Sequence, residues 1–121
     1  MAKKLILIID DEGTILRLLD NMLSKAGYEV ITASSGKQGL DLFQSRQPDL
    51  VLLDVVMPIM DGFEVLENIR RLGTTPVVMM TGRVSLNDVI SEKNNVPDSF
   101  IEKPSLKEQI LTTIGYFFEE E

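Results

Sequence analysis

Short apolar runs alternate with stretches of helical periodicity along the chain. Residues 5–9, Leu-Ile-Leu-Ile-Ile, form an unbroken apolar run, the pattern of a strand buried on both faces. Residues 14–26 then place Ile15, Leu18, Leu19, Met22 and Leu23 at helical spacing, and Gly27 supplies a left-handed stop. Residues 29–33 read as a second, shorter strand, and Ser34 or Ser35 can cap a helix over 36–45 with Leu40 and Phe43 facing inward. Pro48 breaks that helix before a third strand at 50–54. After a loop over 55–61, Phe63, Val65, Leu66 and Ile69 mark a third amphipathic helix. Gly73 and Pro76 punctuate the entry to a fourth strand at 77–80. The helical signal over 84–93 is weak, with few apolar anchors and Asn94-Asn95 at its end. Residues 99–102 are a short strand, and Leu106, Ile110, Leu111, Ile114 and Phe117 mark a last helix. Strand and helix in regular alternation predict βα units around a parallel sheet.

That prediction gives the polar residues at the strand ends a common location. Asp10 and Asp11 follow the first strand, Asp54 ends the third, Thr81 follows the fourth apolar run and Lys103 follows the last. In a parallel sheet all of these ends meet at the carboxyl edge, where open α/β sheets bind ligands. Three carboxylates there repel one another unless a cation sits among them, and Mg²⁺ prefers oxygen ligands plus a phosphate. Each residue also has a plainer reading. Asp10-Asp11 serves as a helix cap, Asp54 as a polar strand end, Thr81 as an ordinary β-branched strand residue, and Lys103-Pro104 as a helix entry. The joint placement is what points to phosphoryl chemistry.

Composition narrows the chemistry further. The 121 residues suit one domain spanning 1–121, and 44% hydrophobic with 26% charged residues is the globular range. The chain has no cysteine and no histidine, which excludes disulfides, thiolate or imidazole zinc sites, an imidazole base and a phosphohistidine of its own. A phosphoryl group must therefore rest on an oxygen. A net charge of −7, with basic residues scattered, argues against direct nucleic-acid binding by this domain. Lys3-Lys4 and the run after them are too short for a signal peptide, and no stretch approaches membrane-spanning length. The expectation is a soluble cytoplasmic protein with no membrane association.

The motifs Ile8-Ile9-Asp10-Asp11-Glu12, Leu50-Val51-Leu52-Leu53-Asp54, Met57-Pro58, Met60-Asp61-Gly62, Met79-Met80-Thr81-Gly82 and Phe100-Ile101-Glu102-Lys103-Pro104 agree in order and spacing with a known family. Over its full length the chain resembles the receiver domain of two-component response regulators. The resemblance implies a flavodoxin-like (βα)5 fold with five parallel strands in order 2-1-3-4-5 and helices on both faces. It implies Asp54 as phosphoacceptor for a sensor histidine kinase or histidine phosphotransfer protein. Asp11 and Asp54 would ligate Mg²⁺ directly, with the Val56 carbonyl as a third ligand and Asp10 nearby through water. Thr81 and Lys103 would contact the phosphoryl oxygens, and Thr81 with Phe100 would form the switch. The implied role is signalling to an unidentified output partner or effector domain rather than enzymatic turnover of a separate substrate.

Several positions depart from the family pattern. The segment before Phe100 reads Asn94-Asn95-Val96-Pro97-Asp98 instead of a small Gly-Ala turn, and the last helix has no arginine to support a salt-bridged dimer. Val56 and Arg83 stand where the family gates water, and Val56 cannot orient an attacking water, so a long-lived phosphorylated state is expected. Two rival readings remain at this point. Residues 10–16 superficially resemble the nucleophile motif of haloacid-dehalogenase-like phosphatases, though Glu12 replaces the second aspartate and there is no room for a cap domain. The other rival is a phosphorylation-independent interaction module of the same fold.

Overall fold

The computed structural model describes residues 3–81, 97–102 and 107–118. Among them five strands and four helices follow one another as β1 (Leu5–Ile9), α1 (Gly13–Lys25), β2 (Glu29–Ala33), α2 (Gly36–Arg46), β3 (Leu50–Asp54), α3 (Gly62–Leu72), β4 (Val77–Thr81), β5 (Ser99–Glu102) and α4 (Lys107–Phe118). All pairings are parallel, and the sheet order is β2-β1-β3-β4-β5. This is the flavodoxin-like order expected from the resemblance. The weak helical segment at 84–93, with Gly82 and Arg83 before it, and Lys103 lie outside the described residues.

Side chains of a strand alternate between faces, so each central strand feeds two cores. Leu7, Ile9, Val51, Leu53, Val77 and Met79 pack with Phe43 of α2 and Phe63, Val65, Leu66 and Ile69 of α3. Ile6, Ile8, Leu50, Leu52, Val78, Met80 and Ile101 pack on the other face with Leu16, Leu19 and Leu23 of α1 and Ile110 and Ile114 of α4. The sheet is therefore the middle layer of three, which is why β1, β3 and β4 read as continuous apolar runs. The contact stripe of α1 is Leu16, Leu19 and Leu23, whereas Leu18, placed in the helical pattern from sequence, is 57% exposed. Three- and four-residue spacing admits both sets, and only the angle at which the helix meets the sheet selects one.

The helix ends are fixed by local chemistry. Ser35, not Ser34, caps α2, its hydroxyl accepting from the Gln38 N–H at 3.1 Å, and Ser34 instead donates its N–H to the Gln38 side chain at 2.8 Å. Asp61 and Glu64 form a reciprocal capping box on α3, with bonds of 3.0 and 3.2 Å. No helix among the described residues is long and apolar enough to cross a membrane.

Candidate functional site

Asp10 follows β1 directly and still belongs to the sheet's register, since its N–H donates to the Ala33 carbonyl at 3.1 Å. Its side chain then turns the chain toward α1, Oδ1 accepting from the Glu12 N–H at 2.9 Å. The cap of α1 is therefore neither aspartate: Glu12 holds that position without a side-chain hydrogen bond. Asp54 is the last residue of β3, opposite Met80, and the next N–H, of Val55, donates to the Met80 carbonyl at 3.0 Å. Thr81 ends β4 opposite Glu102 of β5. Parallel pairing brings residues 10, 54 and 81 to one edge of the sheet although they lie far apart in the chain.

The three aspartates converge. Asp10, Asp11 and Asp54 each present a carboxylate oxygen within 4.8 Å of the other two. Asp10 is 0% and Asp54 5% exposed, while Asp11 lies at the solvent rim. Two such buried charges at that separation repel by roughly 3–4 kcal/mol at an effective dielectric constant near 20. Hard oxygen donors in this arrangement match what a small divalent cation takes, so the residues present fit a Mg²⁺ site.

Thr81 is 2% exposed and follows Met79 by two residues, on the face where Met79 and Phe100 pack. Phe100, opposite Met79 in the sheet, is half-buried against that core. Val56 is also half-buried against it. Lys103 and Arg83 lie outside the described residues, so of the sequence-derived set Asp10, Asp11, Asp54, Val56, Thr81 and Phe100 have a place.

The loop after Asp54 is pinned at both ends. Val55 receives the Gly62 N–H on its carbonyl at 2.8 Å, and the capping box fixes Asp61. A Cβ at Gly62 would meet the Asp54 carbonyl oxygen and lie 2.8 Å from the Val55 Cα, so the start of α3 rests on the backbone carrying the carboxylate. The Asp-x-x-Glu spacing at 61–64 is a readable signal for this cap that the sequence analysis did not use. Asp98, treated from sequence as part of an atypical turn, is an anchor. Its Oδ2 accepts from Arg70 at 2.6 Å and from the Val77 N–H at 2.8 Å, tying α3 to the starts of β4 and β5.

Comparison with known proteins agrees with this geometry. The sequence matches the family described as "Response regulator receiver domain" over residues 6–115. It is 41% identical over 102 residues to "Probable transcriptional regulator ycf27" of Cyanophora paradoxa, covering 84% of this chain and 43% of that protein. It is 38% identical over 99 residues to "Transcriptional regulatory protein AfsQ1" of Streptomyces coelicolor, covering 82% of this chain and 44% of that one. The chain thus spans under half the length of these curated relatives. Among solved structures, the Vibrio cholerae chemotaxis protein CheY4 superposes with a TM-score of 0.89 at 31% identity, covering 96% of this chain and 99% of that one. A CheY-like receiver domain protein from Methanospirillum hungatei gives a TM-score of 0.89 at 33% identity, covering 95% and 93%. With this fold, this carboxylate cluster and a family match across nearly all of its length, the chain belongs to the response regulator receiver domains of two-component signal transduction.

Proposed function

We propose that residues 1–121 act as one receiver unit that accepts a phosphoryl group on Asp54 from a histidine kinase or histidine phosphotransfer protein and thereby changes its affinity for an output partner. The observation that carries this reading is the meeting of three carboxylate oxygens within 4.8 Å at the carboxyl edge of a parallel sheet. A Mg²⁺ ion held by Asp11, Asp54 and the Val56 carbonyl, with Asp10 nearby, would neutralise charge on the transferring group. An Asp54 carboxylate oxygen attacks the phosphorus, the P–N bond to the donor imidazole breaks, and an acyl phosphate forms on Asp54. A carboxylate is a weak nucleophile, so the work of the site is placement and charge compensation. Thr81 then donates its hydroxyl to a phosphoryl oxygen, and Lys103 balances the added charge of roughly −1.5 to −2.

The switch follows from Thr81 and Phe100 sharing one face of the sheet. Drawing Thr81 toward the phosphoryl group frees space on the side where Phe100 packs, and a two-state rearrangement results. The relatives' names as transcriptional regulators support an output in gene control through a part of the protein other than this acidic domain. A cytoplasmic site of action and a signalling rather than enzymatic role complete the reading. The phosphatase reading is disfavoured by the order of the motifs and the family match, and it differs in predicting label on Asp10.

Phosphorylation with acetyl phosphate and Mg²⁺ followed by peptide mass spectrometry tests the assignment. Label is expected on Asp54 and absent from Asp54→Asn, whereas label on Asp10 would overturn it. Beryllofluoride binding with Mg²⁺ separates a working receiver from an inert module of the same fold. Val56→Asn is expected to shorten the lifetime of the acyl phosphate, and an unchanged lifetime would refute the gating role of Val56.

A further inference from the structure

Four of the six methionines lie in the two segments that flank Asp54: Met57 and Met60 in the loop over 55–61, and Met79 and Met80 on β4. The chain has no cysteine, histidine or tryptophan, so thioethers are what a two-electron oxidant attacks first. Met57, Met79 and Met80 are at most 7% exposed, whereas Met60 is half-buried and open to a small solute. Met22 on α1 is also half-buried, but it packs on the opposite face of the sheet.

The Met60 side chain is wedged at the start of a helix. Ile59 before it takes φ +70°, and the Met60 N–H donates to the Pro58 carbonyl at 2.7 Å, closing a γ-turn of the rare positive-φ form. This reversal leaves Ile59 fully exposed and turns Met60 back onto the core. A Cβ at Gly36, the first residue of α2, would lie 3.0 Å from the Met60 Sδ, 3.1 Å from the Met60 Cβ and 2.9 Å from Val65 Cγ2 of α3. Glycine at position 36 thus leaves room for a thioether and little more.

The N–H groups in the first turn of a helix have no partner inside the helix and form the positive end of its dipole. Ser35 serves the Gln38 N–H of that turn, and the N–H groups of Gly36 and Lys37 precede it. A thioether is a weak acceptor, but a sulfoxide is polar and offers an oxygen to such donors. Oxidation of Met60 therefore adds an atom where packing is already close and draws that atom toward α2. The loop that moves with it also carries Val56, whose carbonyl is the third Mg²⁺ ligand of the proposed site.

We propose that Met60 is a modification site, oxidised by hydrogen peroxide to a sulfoxide that displaces the loop after Asp54 and weakens the binding of Mg²⁺ and the phosphoryl group. The sulfur lone pair attacks one peroxide oxygen, the O–O bond breaks, and the departing hydroxide takes the proton from the transferred oxygen to leave as water. Sulfur is oxidised by two electrons and peroxide is reduced by two. Methionine sulfoxide reductases reverse the change, so it serves as a signal as well as a lesion. The inference rests on the reading of Asp54 as a Mg²⁺-assisted phosphoacceptor and adds an oxidant input to that site.

The test treats the whole chain with hydrogen peroxide, maps sulfoxide by peptide mass spectrometry and measures beryllofluoride affinity with Mg²⁺ by fluorine-19 NMR. Sulfoxide is expected on Met60 before Met57, Met79 or Met80. Affinity should fall about tenfold, the lower end for a disturbance just outside the ligands themselves. Methionine sulfoxide reductase with dithiothreitol as reductant should restore it. Met60→Leu, which keeps an apolar side chain of similar volume, should stay within about twofold of its untreated affinity after the same treatment, whereas Met22→Leu should lose affinity as the wild type does. Unchanged affinity with Met60 oxidised, an equal loss in Met60→Leu, or no recovery with the reductase overturns the proposal. Failure of the untreated wild type to bind beryllofluoride, or acetyl phosphate label persisting on Asp54→Asn, defeats the phosphoacceptor reading and this proposal with it. Normal binding by the untreated chain without a response to the Met60 sulfoxide defeats the oxidant input alone.

Discussion

Gly62→Ala tests whether the carboxylate site depends on the close approach of α3 to β3. The added methyl would meet the Asp54 carbonyl oxygen, with the Val55 Cα at 2.8 Å and the Met79 methyl at 3.0 Å. The Met79 methyl can rotate away, but the other two atoms are main chain at the end of a central strand. Retreat of the helix is opposed as well, because the Gly62 N–H to Val55 carbonyl bond of 2.8 Å would lengthen. Overpacking costs about 1–3 kcal/mol and a weakened hydrogen bond about 1 kcal/mol. The helix propensity gained from alanine is small at a first helical position, so the net loss expected is about 3 kcal/mol, or on the order of 10 °C in Tm for a domain of this size. Since the displaced backbone carries Asp54, beryllofluoride affinity should fall along with stability. Urea unfolding followed by far-ultraviolet circular dichroism measures the stability, and fluorine-19 NMR measures the beryllofluoride affinity. Gly115→Ala, inside α4, is the control, as a Cβ there has nothing within 4 Å among the described residues and should gain about 0.5–1 kcal/mol. Stability of Gly62→Ala within about 0.5 kcal/mol of wild type would refute the backbone-contact argument.

The other expectations concern anchors and charge. Asp61→Ala removes one half of the capping box directly and strands the other, so urea unfolding should show a loss of about 1–2 kcal/mol. Asp98→Ala removes the acceptor shared by Arg70 and the Val77 N–H and should cost about 1.5–3 kcal/mol, whereas Lys37→Ala, breaking an exposed 3.6 Å pair with Asp41, should change stability by less than about 0.5 kcal/mol. Equal effects for the two would show that the shared bonds of Asp98 to Arg70 and the Val77 N–H add nothing over an isolated surface pair. Mg²⁺ at about a hundred times its Kd should stabilise the wild type by about 2.7 kcal/mol in thermal melts, and Asp11→Asn should abolish most of that gain at the same concentration. A full Mg²⁺ shift in Asp11→Asn would remove Asp11 from the ligand set.

The sheet was legible in the sequence because parallel strands covered by helices on both faces carry apolar residues at every position, and such runs stop where they leave the layer. Val51, Leu52 and Leu53 are fully buried and Asp54 ends the run, so the polarity change that marks the strand's end also marks the site. Parallel topology does the rest by bringing separate strand ends to one edge, which is how three aspartates separated by as many as 44 positions come within 4.8 Å. Interactions without a local period were not legible. Arg70 and Asp98 are 28 residues apart, and only the completed sheet places one beside the other. The exposed Leu18 shows the same limit on a smaller scale, since periodicity offers a broad helix face and tertiary contact chooses the narrower stripe. Ile59 is a different case. Its sequence preference is for extended backbone, yet it takes φ +70°. Gln47 also has positive φ, but as the C-terminal cap of α2 its N–H bonds to the Phe43 carbonyl, an ordinary helix ending. Local preference and fold agree along every strand and conflict at Ile59, in the loop that leaves Asp54. Sequences that specify one structure tend to concentrate such conflicts where function constrains the chain.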